Sequence, residues 1–174
     1  KIIKAGEKIK TAIRERSTKA DIANSDWTSC CRGPILKKDL EANLWVCPDC
    51  NKHHYISPTN RFNLMFGKDG WKKIESPHPP PDPYKWEDTK KYVDRLKDAK
   101  KITGQDNAIL SCEAKINNID VVVSAVDFKF IGGSISMAEG ENVLAAVQTA
   151  LNKKCPYIFV SASGGMRMMT NILS

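Results

Sequence analysis

Four of the six cysteines in this chain lie between positions 30 and 50, and they constrain its fold more than any other sequence feature. Cys47-Pro48-Asp49-Cys50 has the C-x-x-C spacing that lets two thiolates bind one Zn²⁺ in a tetrahedral site. A chain of 174 residues with 41% hydrophobic residues can build an ordinary core, so metal binding explains these cysteines better than a disulfide framework. We therefore predict a zinc ribbon over residues 27–56, with a structural metal because four thiolates leave no open position.

The second pair of ligands does not have the expected spacing. Cys30 and Cys31 are adjacent, and because neighbouring side chains point apart they cannot copy the geometry of the C-x-x-C pair. Either the site is altered, or two residues between Cys30 and Cys31 are absent from the printed sequence. His53 and His54 are substitute ligands, although an exposed polar turn is the simpler interpretation of both.

The net charge of +7 is concentrated at the amino-terminal end of the chain. Residues 1–20 hold seven basic and two acidic side chains, whereas the remainder carries 20 basic and 18 acidic ones. Because isoleucines recur there at helical spacing, residues 1–26 are predicted to form a basic helical arm. Nucleic-acid binding is an open alternative for such an arm beside a ribbon, but the few basic–aromatic alternations in residues 27–56 do not favour it.

Membrane association is not expected. No apolar run approaches the roughly 18 residues that a membrane-spanning helix requires. No apolar segment of the kind found in a signal peptide follows the amino-terminal charges. The sequence therefore indicates an intracellular protein.

Residues 57–104 are predicted to contain helices and a proline-rich linker. Ser57-Pro58 has the pattern of an N-cap followed by proline at the first helical position. Five of the seven residues in 77–83 are proline, so this tract is predicted to be a stiff linker. A second helix is predicted from about Asp88 to Lys101, ending near Gly104. Its buried face is predicted to contain Tyr92, Leu96 and Ala99.

The spacing of hydrophobic residues changes in residues 105–174, which predicts a region of strands and helices. Ala108–Ile116 alternates like a half-buried strand, and Ile119–Phe130 is a longer valine-rich strand after a tight turn at Asn117-Asn118. A helix from Met137 to Lys153, with Val143, Val147 and Leu151 in register, precedes a short strand at Tyr157–Ser161. Strand, helix and strand with glycine pairs after both strands indicate a parallel βαβ unit with a right-handed crossover.

The two glycine pairs are candidate anion-binding turns. Gly164-Gly165 lies in Ser161–Arg167, between a strand and a predicted helix, where backbone amides and the helix dipole stabilise negative charge. Gly132-Gly133 follows the neighbouring strand and supplies a second set of amides. The alternative is that both pairs are simply tight turns, and the residues alone do not decide. No serine-hydrolase elbow, phosphate loop or dinucleotide fingerprint accompanies them.

Several motifs occur together in one order along residues 24–174. They are Trp27-Thr28, Asp39–Asn43, Val46–Cys50 with His53-His54, Arg61, Tyr92–Leu96, Phe128–Ser134 and Ser161–Met168. In this combination the chain resembles the carboxyltransferase beta subunits of the multisubunit acetyl-CoA carboxylases. The resemblance implies an α/β fold in which an N-terminal zinc ribbon precedes a partial crotonase-like (ClpP-like) ββα domain. Residues 105–174 are then the N-terminal part of that domain, and we expect the family to continue beyond Ser174.

The resemblance also implies roles for particular residues. Cys31 matches the second cysteine of the family's first knuckle and Cys30 the first, with two residues missing between them. The reaction moves a carboxyl group from carboxybiotin to acetyl-CoA, giving malonyl-CoA for fatty acid synthesis. Gly164 and Gly165 are then expected to form the thioester oxyanion hole. Gly132 and Gly133 are expected to shape the adjoining wall.

Partners and location follow from the same resemblance. We expect an alpha subunit in an alpha2beta2 assembly, a biotin carboxylase, and a carrier protein that supplies biotin in trans because no Met-Lys-Met motif is present. The bacterial cytoplasm is the expected location, with a plastid stroma as the alternative.

Two other functions remain as alternatives, a nucleic-acid-binding zinc ribbon and another acyl-CoA enzyme of the crotonase family. The second needs a carboxylate beside the glycines to shuttle protons, for which Glu139 and Glu141 are the candidates. A solvated first helical turn is the better interpretation of both.

Overall fold

The computed structural model describes residues 26–30 and 33–173, with side chains through residue 170. Nearly all of the predicted basic arm over residues 1–26, and the candidate ligand Cys31, lie outside the described residues. The chain divides after Tyr55 into two compact units.

The first unit contains a short hairpin, a short helix and a cysteine-bearing turn. Its elements are strands β1 (Trp27–Cys30) and β2 (Gly33–Leu36) and helix α1 (Lys37–Ala42). The two strands pair antiparallel, and Leu40 of α1 is fully buried. A bridge between Val46 and His53 closes the turn that carries Cys47 and Cys50. The cysteines of the C-x-x-C pair are therefore held by a paired backbone.

The second unit is a four-stranded sheet with helices on both faces. Its strands are β3 (Trp71–Lys73), β4 (Ile109–Ile116), β5 (Ile119–Val126) and β6 (Tyr157–Val160), in the spatial order β3-β4-β5-β6. Its helices are α2 (Pro58–Phe66), α3 (Tyr92–Thr103) and α4 (Met137–Lys153). Strands β3, β4 and β5 pair antiparallel, whereas β5 and β6 pair in parallel through the connecting α4. The predicted parallel βαβ unit is confirmed.

Strand β4 is buried on both faces along its first half, so the prediction of a half-buried strand is wrong. Leu110 and Cys112 pack with Phe62 of α2 on one face. On the other face, Ile109 packs in the cluster formed by α3, and Ser111 hydrogen-bonds to a side chain of α4. A strand covered by helices on both faces loses the polar alternation that a solvent-exposed face requires.

Strand β5 ends earlier than predicted, at Val126 and not at Phe130. The Asp127 carboxylate accepts a hydrogen bond from the Lys129 amide at 2.8 Å, and the Phe130 amide donates to the Asp127 carbonyl at 3.1 Å. This local turn takes the chain out of the sheet. The predicted tight turn before β5 is confirmed, because Asn117 and Asn118 have φ values of 49° and 66°.

Helices α2 and α3 follow their predicted capping signals. The Ser57 hydroxyl accepts a hydrogen bond from the Asn60 amide at 3.2 Å, so the predicted N-cap of α2 is confirmed. Helix α3 begins at Tyr92, later than the predicted Asp88, because the Asp88 carboxylate instead caps a turn by accepting from the Lys90 amide. Its buried residues and its left-handed end at Gly104, with φ of 70°, agree with the prediction.

Helix α4 has its predicted bounds but a different buried face. The buried stripe is polar and small, and it consists of Glu139, Asn142, Ala146 and Ala150. Leu151, which was expected in register with the apolar stripe, is 65% exposed. Small side chains let the helix approach the sheet closely, and Asn142 compensates its burial by donating to the Ile109 carbonyl at 3.1 Å.

The segment after Gly165 forms a 3₁₀ helix over Met168–Leu173, where the sequence predicted the first turns of an α-helix. In the described part of the chain, no helix has both the length and the apolar character needed to cross a membrane.

Phe62 is the side chain on which the α2 face of the sheet depends. It is fully buried and lies 5.3 Å from Trp71, measured between ring centroids, in a T-shaped contact. Phe62→Ala is expected to lower the free energy of unfolding by about 3–5 kcal/mol, because it leaves a cavity. Met65→Ala, on the exposed side of the same helix, is expected to change it by less than about 1 kcal/mol. Urea unfolding of both variants checks this, and equal losses would contradict the assigned helix face.

Candidate functional site

Three cysteine thiols converge in the first unit. The sulfur atoms of Cys30, Cys47 and Cys50 all lie within 4.8 Å of one another, and those of Cys30 and Cys50 are 3.3 Å apart. Thiolates that bind one zinc at about 2.3 Å stand about 3.8 Å apart, so these three sulfurs fit one tetrahedral site. Cys47 is 1% exposed, so its thiol is shielded from solvent.

The two histidines that the sequence offered as substitute ligands do not join this cluster. Cys31 lies outside the described residues. Neither His53 nor His54 contributes to a metal-binding group in the part of the chain that the structure describes. The interpretation of these histidines as substitute ligands therefore receives no support from the cluster.

The two glycine pairs, which are far apart in sequence, meet at the carboxyl ends of the parallel strands β5 and β6. The Gly164 amide donates to the Gly132 carbonyl at 2.9 Å. A Cβ atom on Gly133 would lie only 2.2 Å from the Ala162 carbonyl oxygen, so the two turns approach too closely for any other residue there. The structure thus brings together the four glycines that the sequence singled out.

Both glycine turns have left-handed backbone conformations. Ile131, Gly132 and Gly133 follow one another with φ values of 48°, 66° and 63°. Such a conformation is rare for a β-branched residue such as Ile131, so its surroundings must hold it. Gly165 has φ of 108°, which L-residues rarely adopt.

The amides of the second pair differ in their partners. The Gly164 amide donates its hydrogen bond to the Gly132 carbonyl of the neighbouring turn, as described above. That of Gly165 donates to the hydroxyl of Ser163 at 3.0 Å, and both of these residues are exposed. An incoming oxygen can replace this exposed local hydroxyl more easily than it can replace the Gly132 carbonyl.

Directly after these turns, Arg167 is 2% exposed and forms a salt bridge with the fully buried Glu139 at 2.7 Å. Its guanidinium also donates to the Tyr92 hydroxyl at 3.0 Å and the Ser136 hydroxyl at 3.1 Å. Further bonds reach the Ser134 hydroxyl at 3.0 Å and the Ser134 carbonyl at 2.5 Å. Burial raises the pKa of the Tyr92 phenol, although the hydrogen bond from Arg167 opposes this shift. The phenol is therefore neutral at physiological pH.

The interpretation of Glu139 as a solvated residue is wrong. Its carboxylate accepts from the Ala108 amide at 2.8 Å and the Ser136 amide at 2.9 Å, in a capping box with Ser136 at the start of α4. All of the hydrogen-bonding capacity of this carboxylate is used inside the protein. Because Glu139 is also fully buried, its carboxylate has no access to solvent for proton shuttling. The Ser136-x-x-Glu139 spacing is a capping-box pattern that could have indicated this role, but the prediction for Glu139 did not use it, and no local pattern pairs Glu139 with Arg167.

A cavity of about 520 Å³ borders this network. Its walls include Pro79–Pro81, Leu96 of α3 and the first residues of α4, Met137 and Ala138, together with Arg167. The proline tract, which the sequence predicted to be a linker, is thus also a rigid wall of the second unit.

The part of the second unit that contains the parallel crossover and the paired glycine turns also matches a known family by sequence. Residues 91–173 match the family model described as the carboxyl transferase domain. The second unit therefore contains sequence of the carboxyl transferase class, in a mixed α/β fold.

Curated relatives define the family more closely. The chain is 52% identical over 174 residues to acetyl-coenzyme A carboxylase carboxyl transferase subunit beta of Pelagibacter ubique, covering 100% of this chain and 56% of that protein. It is 41% identical over 140 residues to the same subunit of Beijerinckia indica, covering 80% of this chain and 48% of that protein. The chain belongs to the family of acetyl-coenzyme A carboxylase carboxyl transferase beta subunits. The resemblance seen in the sequence motifs is confirmed, as is the α/β fold class.

The chain spans about half the length of the curated relatives it matches. Among solved structures, the beta subunit of Pseudomonas aeruginosa geranyl-CoA carboxylase matches 79% of this chain and 22% of its own, with 20% identity and a TM-score of 0.49. The family assignment rests on the sequence matches and not on this distant likeness.

The buried ion pair is expected to dominate local stability. Glu139→Gln leaves the Arg167 charge buried without compensation, which is expected to lower the free energy of unfolding by about 3–5 kcal/mol. The matched control is Glu113→Gln, which breaks a partly exposed pair with Lys153 and is expected to cost much less. Chemical denaturation of both variants measures the difference, and similar losses would contradict the importance given to the buried pair.

Proposed function

We propose that the protein containing this chain transfers a carboxyl group from carboxybiotin to acetyl-CoA, giving malonyl-CoA for fatty acid synthesis. One observation carries the proposal, namely the two glycine turns joined by the bond between Gly164 and Gly132 at the ends of β5 and β6. The named activity of the relatives supports it, since they are acetyl-CoA carboxylase carboxyl transferase subunits.

The glycine turns suit the chemistry of a thioester substrate. In the proposed reaction a proton leaves the methyl group of acetyl-CoA and ends on the biotin nitrogen that releases the carboxyl group, so negative charge builds on the thioester oxygen. Backbone amides fixed before the reaction stabilise such a charge without reorganisation. In this proposal Gly164 and Gly165 form the oxyanion turn, and Gly132 and Gly133 form the adjoining wall.

The described hydrogen bonds favour one amide of the oxyanion turn over the other. The Gly165 amide becomes available when a substrate oxygen replaces the Ser163 hydroxyl. The Gly164 amide acts indirectly, because its bond to the Gly132 carbonyl fixes the distance between the turns. We therefore assign the direct contact with the thioester oxygen to Gly165.

We further propose that Cys30, Cys47 and Cys50 hold a structural zinc ion, with Cys31 as the fourth ligand. Three sulfurs within 4.8 Å of one another support this proposal. Four thiolates leave no coordination position for substrate, so the metal would supply stability to the first unit and no chemistry.

The proposed reaction requires partners. As a beta subunit, the protein is proposed to act with an alpha subunit in an alpha2beta2 assembly, as the designation of its relatives supports. Biotin is proposed to arrive on a carrier protein that a biotin carboxylase loads. The bacterial cytoplasm is the proposed location, with the plastid stroma as the alternative.

Metal analysis tests the zinc proposal. The purified protein is expected to contain about one zinc per chain, and a chelator is expected to lower the thermal midpoint of the first unit because binding and folding are coupled. Cys47→Ser and Cys31→Ser are both expected to lose the metal, while Cys155→Ser, in the second unit, retains it. A metal-free wild-type protein with an unchanged melting curve would refute a structural zinc.

A transfer assay tests the proposed activity and the role of Gly165. The complete gene product containing this chain is assembled with its alpha subunit. The activity of this complex is then measured as biocytin-dependent decarboxylation of malonyl-CoA. Gly165→Ala is expected to lower kcat about 10²-fold, because alanine strains the backbone that aims the amide at the oxyanion. Gly140→Ala is the matched control, since Gly140 lies within α4 with no atom within 4 Å of an added Cβ. An inactive wild-type complex, or a Gly165→Ala variant with unchanged kcat, would contradict the proposal.

A further inference from the structure

We propose that Arg167 is a positioning residue that, through Ser134, sets the spacing of the two glycine turns and so the aim of the oxyanion amide. The inference rests on the proposed function, because it explains how the proposed thioester site is held in its working geometry. Arg167 touches no reacting atom in this assignment. Its action is transmitted by hydrogen bonds.

The first step is the connection from Arg167 to the Gly132 turn. The Ser134 hydroxyl accepts a hydrogen bond from Arg167 Nε at 3.0 Å and donates one to the Ile131 carbonyl at 2.7 Å. Ser134 is therefore a relay between a buried charge and the first residue of the left-handed turn. Because Ile131 is β-branched and has φ of 48°, that turn depends on external support.

The second step is the connection to the Gly165 turn. The Ile135 amide donates to the Gly165 carbonyl at 2.9 Å, and the Arg167 amide donates to the Ile135 carbonyl at 2.6 Å. This short parallel bridge fixes the peptide that follows Gly165 against the segment that follows Gly133. Arg167 therefore holds the second turn by its backbone and the first turn by its side chain.

The third step is rigidity. The guanidinium is anchored by Glu139 and Tyr92, which are both at most 1% exposed, and its Cζ atom lies 5.6 Å from the ring centroid of Phe130. The planar guanidinium makes several directed hydrogen bonds at once, and the single amine of lysine cannot reproduce them. In a buried site these bonds have no competition from water, so the geometry is sharply defined.

Two variants of the complete subunit, assembled with its alpha partner, separate positioning from folding. Ser134→Ala leaves the ion pair between Arg167 and Glu139 in place but removes the relay. It is expected to lower kcat about tenfold, with the KM for malonyl-CoA changed less than about twofold, since only transition-state alignment is lost. Arg167→Lys keeps the backbone bridge to Ile135 but loses the guanidinium's bonds to the Ser134 hydroxyl and carbonyl, and it is expected to lower kcat about 10²-fold.

Matched controls are available in the second unit. Arg95→Lys alters a partly exposed pair with Asp88, and Thr149→Ala removes a half-buried hydroxyl within α4. Both are expected to keep the wild-type kcat. Thermal unfolding of every variant identifies loss of fold, and if Arg167→Lys unfolds then Ser134→Ala decides the question.

The outcomes distinguish this inference from the proposed function. An active wild-type complex, an impaired Gly165→Ala variant and a folded Ser134→Ala variant with reduced kcat support the inference. A folded Ser134→Ala variant with wild-type kcat overturns it, while the activity of the wild type leaves the proposed function standing. An inactive wild-type complex overturns the proposed function and, with it, the inference.

Discussion

The second unit is organised around the buried salt bridge between Arg167 and Glu139. A charge removed from water is tolerated only when it is paired and its remaining hydrogen-bonding capacity is used. Here the start of α4, the amide before β4, the Tyr92 phenol of α3 and the loop after β5 all supply partners. These elements come from distant parts of the sequence. The pair therefore fixes their relative positions in a way that apolar packing, which is not directional, does not.

The two units rely on different sources of stability. The second has three clusters of buried apolar side chains on its sheet and helices. In the first unit, the described residues include few large buried apolar side chains, of which Leu40 is fully buried. A small unit with so little core needs a cross-link, and converging thiols are suited to provide one through a metal.

Local signals in the sequence were sufficient for much of this fold. The N-cap at Ser57, the turn at Asn117-Asn118 and the parallel unit around α4 were all predicted correctly, because each depends on residues close together in the chain. The burial of β4 and of α4 was predicted incorrectly, because it depends on which elements cover each face. Glu139 shows the same limit, since its capping box was visible in the sequence but its counter-charge on Arg167 lies 28 residues away.

The four glycines that form the candidate site are subject to different structural constraints. At Gly133 the opposing Ala162 carbonyl excludes any side chain, and at Gly132 and Gly165 the sign of φ penalises one. Gly164 is less restricted than the other three glycines, since an added Cβ would lie 3.3 Å from the Gly132 carbonyl oxygen. Amino-acid substitutions along a lineage should therefore be accepted first at position 164, with alanine or serine as the replacement. The record of substitutions in such a lineage would then report the close approach of the two turns at position 133 and backbone handedness at positions 132 and 165.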